Sequence, residues 1–197
     1  MKRKWKYLYF LIPIIILAVV LVIGIKNERS GYRKVNGGYL YRFKTEDYKT
    51  VYTEQFQEER DEKIEEIKSL RSYTFQNSLM IINPYQTNTN SLYVYFETTT
   101  PSKLRYTIHV EDNDIKDYTN TLYNEGENGL TTEHEYLLTG LIPDKVNHIT
   151  LELLNENNDV VKTKSIDIQA GSLLSNKKVK LEKEDGESSE NLVNGLY

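Results

Sequence analysis

The stretch KLRYTIHVED, residues 103–112, decides the fold. Leu104, Tyr106, Ile108 and Val110 alternate with Arg105, Thr107, His109 and Glu111. On a helix those apolar residues would spread around the axis. On a strand they share one face, because successive side chains point to opposite sides. The segment therefore reads as a half-buried strand.

Its neighbours carry the same period. SLMII (78–82) is a short apolar strand that ends at Asn83-Pro84. SLYVYFET (91–98) alternates Leu92, Val94 and Phe96 against Tyr93, Tyr95 and Glu97, and Thr98–Ser102 reads as the turn before the next strand. NHITLELL (147–154) puts Ile149, Leu151 and Leu153 inward, turns over Asn155–Asp159, and VVKTKSIDI returns as the last strand. Weaker strands fit residues 115–123 and 131–138, with further turns at Asp112–Asp114 and Gly126–Gly129. Short strands at this spacing, with no helix between them, predict a seven-stranded immunoglobulin-like β-sandwich over residues 75–170. The cysteine pair and core tryptophan of antibody domains are absent, so the expectation concerns architecture only.

In LYVYF both faces are apolar. Tyr93 and Tyr95 are either covered by the helix that precedes the strands or by a neighbouring domain, or they form an exposed aromatic patch, a candidate interaction surface. A plain alternative is tyrosine as a good strand former whose hydroxyl reaches water.

Upstream the pattern changes. TEDYKTVYTEQFQEERDEKIEEIKSLRSY, from Thr45, has no Gly or Pro and reads as a helix over residues 45–71. Thr45 can cap it, Glu46 and Asp47 suit its first turn, and Glu59 and Lys63 stand at i,i+4. Val51, Tyr52, Phe56, Ile64, Ile67 and Leu70 form one stripe, broken by Arg60. Two readings are open: a stalk helix packed on its own domain, or a coiled coil that makes a homodimer. The missing sustained heptad favours the first. Residues 26–44, with the turn signal Asn36-Gly37-Gly38, read as a connector or a hairpin at a membrane surface.

The first residues, MKRKWKYLYFLIPIIILAVVLVIGIK, place Lys2, Arg3, Lys4 and Lys6 ahead of an uncharged run over 7–25. At about 1.5 Å per residue that run reaches roughly 28 Å, close to the hydrocarbon thickness of a bilayer. Pro13 lies within it, which membrane helices tolerate. The rival reading is a cleaved signal peptide, but the apolar core is too long and no A-x-A site follows. The expectation is a single-pass anchor. Residues 1–6 lie in the cytoplasm and the bulk of the chain outside the cell, since the denser basic cluster is N-terminal.

The 197 residues carry a net charge of −4 and no cysteine. Near neutrality argues against a nucleic-acid partner, and without thiols there is no disulfide and no cysteine metal site. His109, His134 and His148 show no i,i+2 or i,i+4 metal spacing, and each reads as a surface histidine. Asp112 and Asp114 lack the EF-hand pattern and suit a turn. No G-x-S-x-G, P-loop or G-x-G-x-x-G occurs, so no cofactor and no catalytic residue is expected. Physical signals alone name no reaction.

Two pieces carry a resemblance. SLMIINPYQTNTNSLYVYFETTTPSKLRYTIHVE joins an apolar strand to Asn83-Pro84-Tyr85, a polar turn and two strands. EHEYLLTGLIPDKVNHITLEL joins His134 to Gly140-Leu141, Pro143, a loop with an asparagine, and a strand. Over residues 75–168 the chain resembles the N-terminal domain of bacterial aryl-sulfate sulfotransferases in their membrane-anchored Gram-positive form. One departure is Ile142, where the family often carries Tyr. The resemblance implies transfer of a sulfuryl group from a phenolic ester to a phenol through a histidine nucleophile. In the family that histidine lies in a six-bladed propeller following this domain. Residues 171–197 read as polar linker, with NGLY similar to the start of a propeller strand. The implied role is a scaffold, inactive alone, for a propeller supplied in cis or in trans. A stand-alone surface binding module and a bitopic envelope scaffold are the alternatives.

Overall fold

A computed structural model of the chain describes residues 32–124 and 127–172. The expected basic tail, the span over 7–25 and most of the linker lie outside the described residues. Among the described residues, no helix is long and apolar enough to cross a membrane.

The elements run in the order β1 (Tyr32–Val35), β2 (Gly38–Arg42), α1 (Tyr48–Val51), α2 (Glu54–Ser69), β3 (Ser78–Ile82), β4 (Ser91–His109), β5 (Tyr118–Leu122), β6 (Thr131–Thr139), β7 (Val146–Leu154) and β8 (Val160–Gln169). The fold is mainly β, as the alternation predicts. The largest difference is at residues 98–102, expected as a turn. Here the chain stays extended, and β4 is a single strand of 19 residues. Its first half pairs with β3 and β6, and its second half with β5 and β7, so one strand is central to two sheets. The reason is local. Thr98, Thr99 and Thr100 are β-branched and favour extended backbone. Pro101, which has no N–H to give a ladder, falls where the register with β6 shifts between Glu97 and Ser102.

Of the two readings of the connector, the hairpin holds: residues 32–42 form β1–β2, and β2 adds to β3 in parallel. The first sheet is thus β1-β2-β3-β4-β6, and the second is β5-β4-β7-β8. Gly38 is required at the join: a Cβ there would lie 2.1 Å from the Ser78 carbonyl oxygen.

The expected single helix breaks at Tyr52. Asp47, not Thr45, caps α1 through the Lys49 N–H at 3.0 Å. Thr53 caps α2 through the Phe56 N–H at 3.3 Å. Lys63 pairs with Glu66 rather than Glu59. Val51, Phe56, Ile64 and Ile67 are buried, so the helix packs on its own domain. Tyr52 and Leu70, expected in the same stripe, are exposed. Arg60, the apparent break, completes the stripe: its guanidinium lies 4.0 Å from the Phe43 ring and 4.7 Å from that of Phe56.

Three layers result. Leu92, Val94 and Phe96 of β4 join Met80 of β3 and Leu138 of β6 toward the second sheet. Tyr93 and Tyr95 align with Ile81 and Leu79 on the other face, beneath α2. This explains why LYVYF is apolar on both sides: each face has its own cover.

Candidate functional site

Tyr93 and Tyr95 are 5% and 7% exposed, so of the two readings the covered one holds and they form no aromatic patch. Their hydroxyls are held by carboxylates, one from the neighbouring strand β6 and one from β4 itself. Tyr93 Oη donates to Glu135 Oε1 at 2.7 Å, and Tyr95 Oη donates to Glu97 Oε1 at 3.1 Å. Lys68 of α2 reaches over the Tyr95 ring at 4.6 Å and binds Glu135 Oε2 at 2.8 Å. Burial raises the Tyr93 pKa, and the Glu135 bond raises it further. Burial and Glu97 push Tyr95 up to about 12. Burial works against the Lys68 ammonium, but its bonds to Glu135 and Glu65 outweigh it and the pKa rises. The cluster clamps helix to sheet.

His134, expected at the surface, is 0% exposed. It faces Phe96 across β4–β6 and stacks on that ring at 4.5 Å. Nε2 lies 3.1 Å from Thr98 Oγ1 and 3.2 Å from Ser102 Oγ, while Nδ1 is buried without a hydrogen bond. Desolvation lowers its pKa to about 4, so the ring is neutral at pH 7. The sequence held the signal. Glu133 and Glu135 face the helix side, so His134 between them shares the inward face with Tyr136 and Leu138.

Lys164 went unremarked in the sequence. It is buried on β8, in phase with Ile166, Ile168 and Ala170. Its Nζ donates to the Gly37 carbonyl at 2.9 Å and to Ser78 Oγ at 2.6 Å, tying the second sheet to the hairpin. Burial lowers its pKa to about 7.

The two motifs of the resemblance are loop fasteners. Asn83 and Gln86 adopt positive φ, and Asn83 Oδ1 accepts from the Asn88 N–H at 3.3 Å. Tyr85 Oη donates to Asp61 of α2 at 2.6 Å, and the Gln86 amide joins Lys44 O and Glu46 N at 2.7 Å each. At the other corner Gly140 has φ 96°, and the Leu141 N–H donates to Asn90 O at 3.1 Å. Asn147 is fully buried there. Its Oδ1 accepts from the Ile142 N–H at 2.7 Å, and its Nδ2 donates to Ile142 O and Lys145 O at 3.0 Å each. Backbone N–H and C=O groups in a loop need partners, and one asparagine supplies several. Asp112 accepts from Lys145 at 2.8 Å and from the Asp114 N–H at 3.1 Å, a turn rather than a calcium loop.

Every one of these polar groups serves the architecture of a small mainly-β domain. Residues 79–171 of that domain match the family model described as the arylsulfotransferase Ig-like domain. No curated protein and no solved structure matched the chain.

Proposed function

We propose that this domain is the support part of an aryl-sulfate sulfotransferase, holding or orienting a catalytic propeller in cis or in trans and carrying no sulfuryl group itself. The family reaction runs from a phenolic sulfate ester to a phenol. The observation that carries the reading is the sealing of His134, the histidine of the resembling corner. Stacked on Phe96 and fully covered, it offers no path to a substrate. The family-like residues Asn83, Tyr85 and Asn147 are engaged in fixing loops. The chain, incubated with 4-nitrophenyl sulfate and phenol, is expected to release no nitrophenol above the blank. Turnover that survives His134→Phe or needs His134 would equally end the reading.

The same reading makes residues 7–25 a membrane anchor with the domain outside the cell. Protease added to intact cells then removes the bulk of the chain. Protection of residues 80–170 would reverse the orientation. The binding-module alternative relied on Tyr93 and Tyr95, and their burial under α2 leaves it without that platform.

A further inference from the structure

The outer face of the second sheet carries a row of four titratable side chains. His109 on β4 stands directly opposite His148 on β7. His148 stands opposite Asp167 on β8. Asp117 lies just before β5, where the pairing Ile108↔Tyr118 brings it level with His109. The order across the sheet is Asp117, His109, His148, Asp167. The outer pairs are hydrogen-bonded: His109 Nδ1 to Asp117 Oδ1 at 2.7 Å, and His148 Nδ1 to Asp167 Oδ1 at 2.8 Å. The imidazole rings are 6.0 Å apart; His109 is exposed and His148 is half-buried.

An ionised carboxylate only accepts hydrogen bonds, so each Nδ1 must be the N–H nitrogen. A neutral imidazole then has its lone pair on Nε2. Two separate aspartates thus select the same tautomer on two facing histidines. A carboxylate that orients an imidazole and raises its basicity is the usual outer support of a histidine metal ligand. Structural support of a lone surface histidine would not need this arrangement twice in register. Glu111, with Oε1 4.0 Å from His148 Nε2, adds an oxygen donor.

We propose that His109 and His148 bind a late first-row divalent cation of the zinc or copper class through their Nε2 atoms, with Glu111 and water completing the shell. Imidazole nitrogen suits these ions, whereas magnesium and calcium prefer oxygen. With metal–nitrogen bonds of about 2.0 Å, two imidazoles on one tetrahedral ion place their centroids about 5 Å apart. The rings need to close by only about 1 Å. Among the described residues no three-ligand group stands ready assembled, so this closure accompanies binding. Among the described residues, Lys116 is the one lysine or arginine lining the same shallow depression as His109 and Glu111, and Lys145 is held by Asp112. The ion would link the two central strands of the second sheet. The two histidines stand 39 positions apart, which hides the pair from any reading by spacing.

The test is a zinc chloride titration of the full chain in detergent micelles at pH 7.5, followed by calorimetry and by imidazole ¹⁵N resonances. One zinc ion should bind, and magnesium should not compete. Zinc should move the Nε2 signals of His109 and His148 and leave buried His134 unchanged. His148→Gln should weaken binding at least ~10-fold, and Asp167→Asn, which removes only the outer support, by ~10-fold. Neither position lies in the core, and circular dichroism of each variant without metal checks the fold. The proposal fails if zinc moves neither histidine. It also fails if His148→Gln titrates like the parent chain. Should a variant unfold, the resonances of the parent chain alone decide.

Discussion

Lys164 gives its hydrogen bonds to a carbonyl and a hydroxyl, neither of them charged. The unfolded chain holds its ammonium to about pH 10.5, while the folded chain releases the proton at about pH 7. Between those values the unfolded state binds more protons, so stability rises with pH. A shift of this size corresponds to roughly 4–5 kcal/mol. Lys164→Met should therefore stabilise the protein at pH 6, by about 1–4 kcal/mol, as apolar replacement of buried charge often does. It should also flatten the rise between pH 7 and 9.5. Urea unfolding across that range reads both effects, and a loss of stability at pH 6 would mean that the two hydrogen bonds outweigh desolvation. His134 acts at the acid end. Its folded pKa near 4 lies below the ordinary 6.5, so stability present above pH 6.5 is lost as the pH falls toward 4. Against His134→Phe, which cannot titrate, the parent chain should lose an extra ~2–3 kcal/mol between pH 7 and 4.5. Equal slopes would refute a buried neutral ring. Both residues were legible in principle. A strict period of two puts Lys164 with Ile166 and Ile168, and His134 with Tyr136 and Leu138. A polar residue type argues for the surface, but strand phase overrides that preference once the strand's neighbours are fixed.

Between elements, the loop joining β6 to β7 hangs on Asn147. The side chain meets both backbone groups of Ile142 and the carbonyl of Lys145. Removing it leaves buried backbone donors and acceptors unpaired, each worth about 1–3 kcal/mol. Asn147→Ala is expected to cost ~3 kcal/mol or more in urea unfolding. Asn155→Ala, at the exposed turn between β7 and β8, should cost ~1 kcal/mol or less. Similar losses at both positions would show that the corner is not held by its asparagine. Alternation revealed β6, β7 and β8, because a half-buried strand writes its two faces directly into the sequence, while β3 showed as a plain apolar run buried on both faces. It could not reveal that β4 runs through Pro101. Proline and a threonine cluster mark a turn as readily as a crossing between sheets, and only the partners on either side distinguish them. The break before Thr53 was equally hidden. Tyr52 and Thr53 interrupt no composition rule; with the break, Thr53 caps the second helix and both Val51 and Phe56 are buried.

At the scale of the molecule, the family match begins at residue 79, inside β3, yet the folded unit begins at the hairpin. β2 supplies β3 with its parallel partner, and α2 covers the outer face of the first sheet. The Gly37 carbonyl accepts from Lys164 on the opposite sheet. A chain cut to residues 75–172 would expose Leu79, Ile81, Tyr93 and Tyr95 together and leave one edge of β3 unpaired. At about 1.5–3 kcal/mol for each large apolar side chain, the lost burial is of order 6–12 kcal/mol, an upper estimate. The whole stability of a domain this size is about 5–15 kcal/mol. Glu135 would also lose Lys68, its cation from the helix. The sandwich should therefore not stand without the hairpin and helices. Residues 32–172 are expected to unfold in one cooperative urea transition. Residues 75–172 are expected to bind a hydrophobic dye and to lack dispersed amide resonances. If the shorter chain unfolded cooperatively at the same urea midpoint, the hairpin and α2 would be appendages, and Tyr93 and Tyr95 would become available to a partner after all.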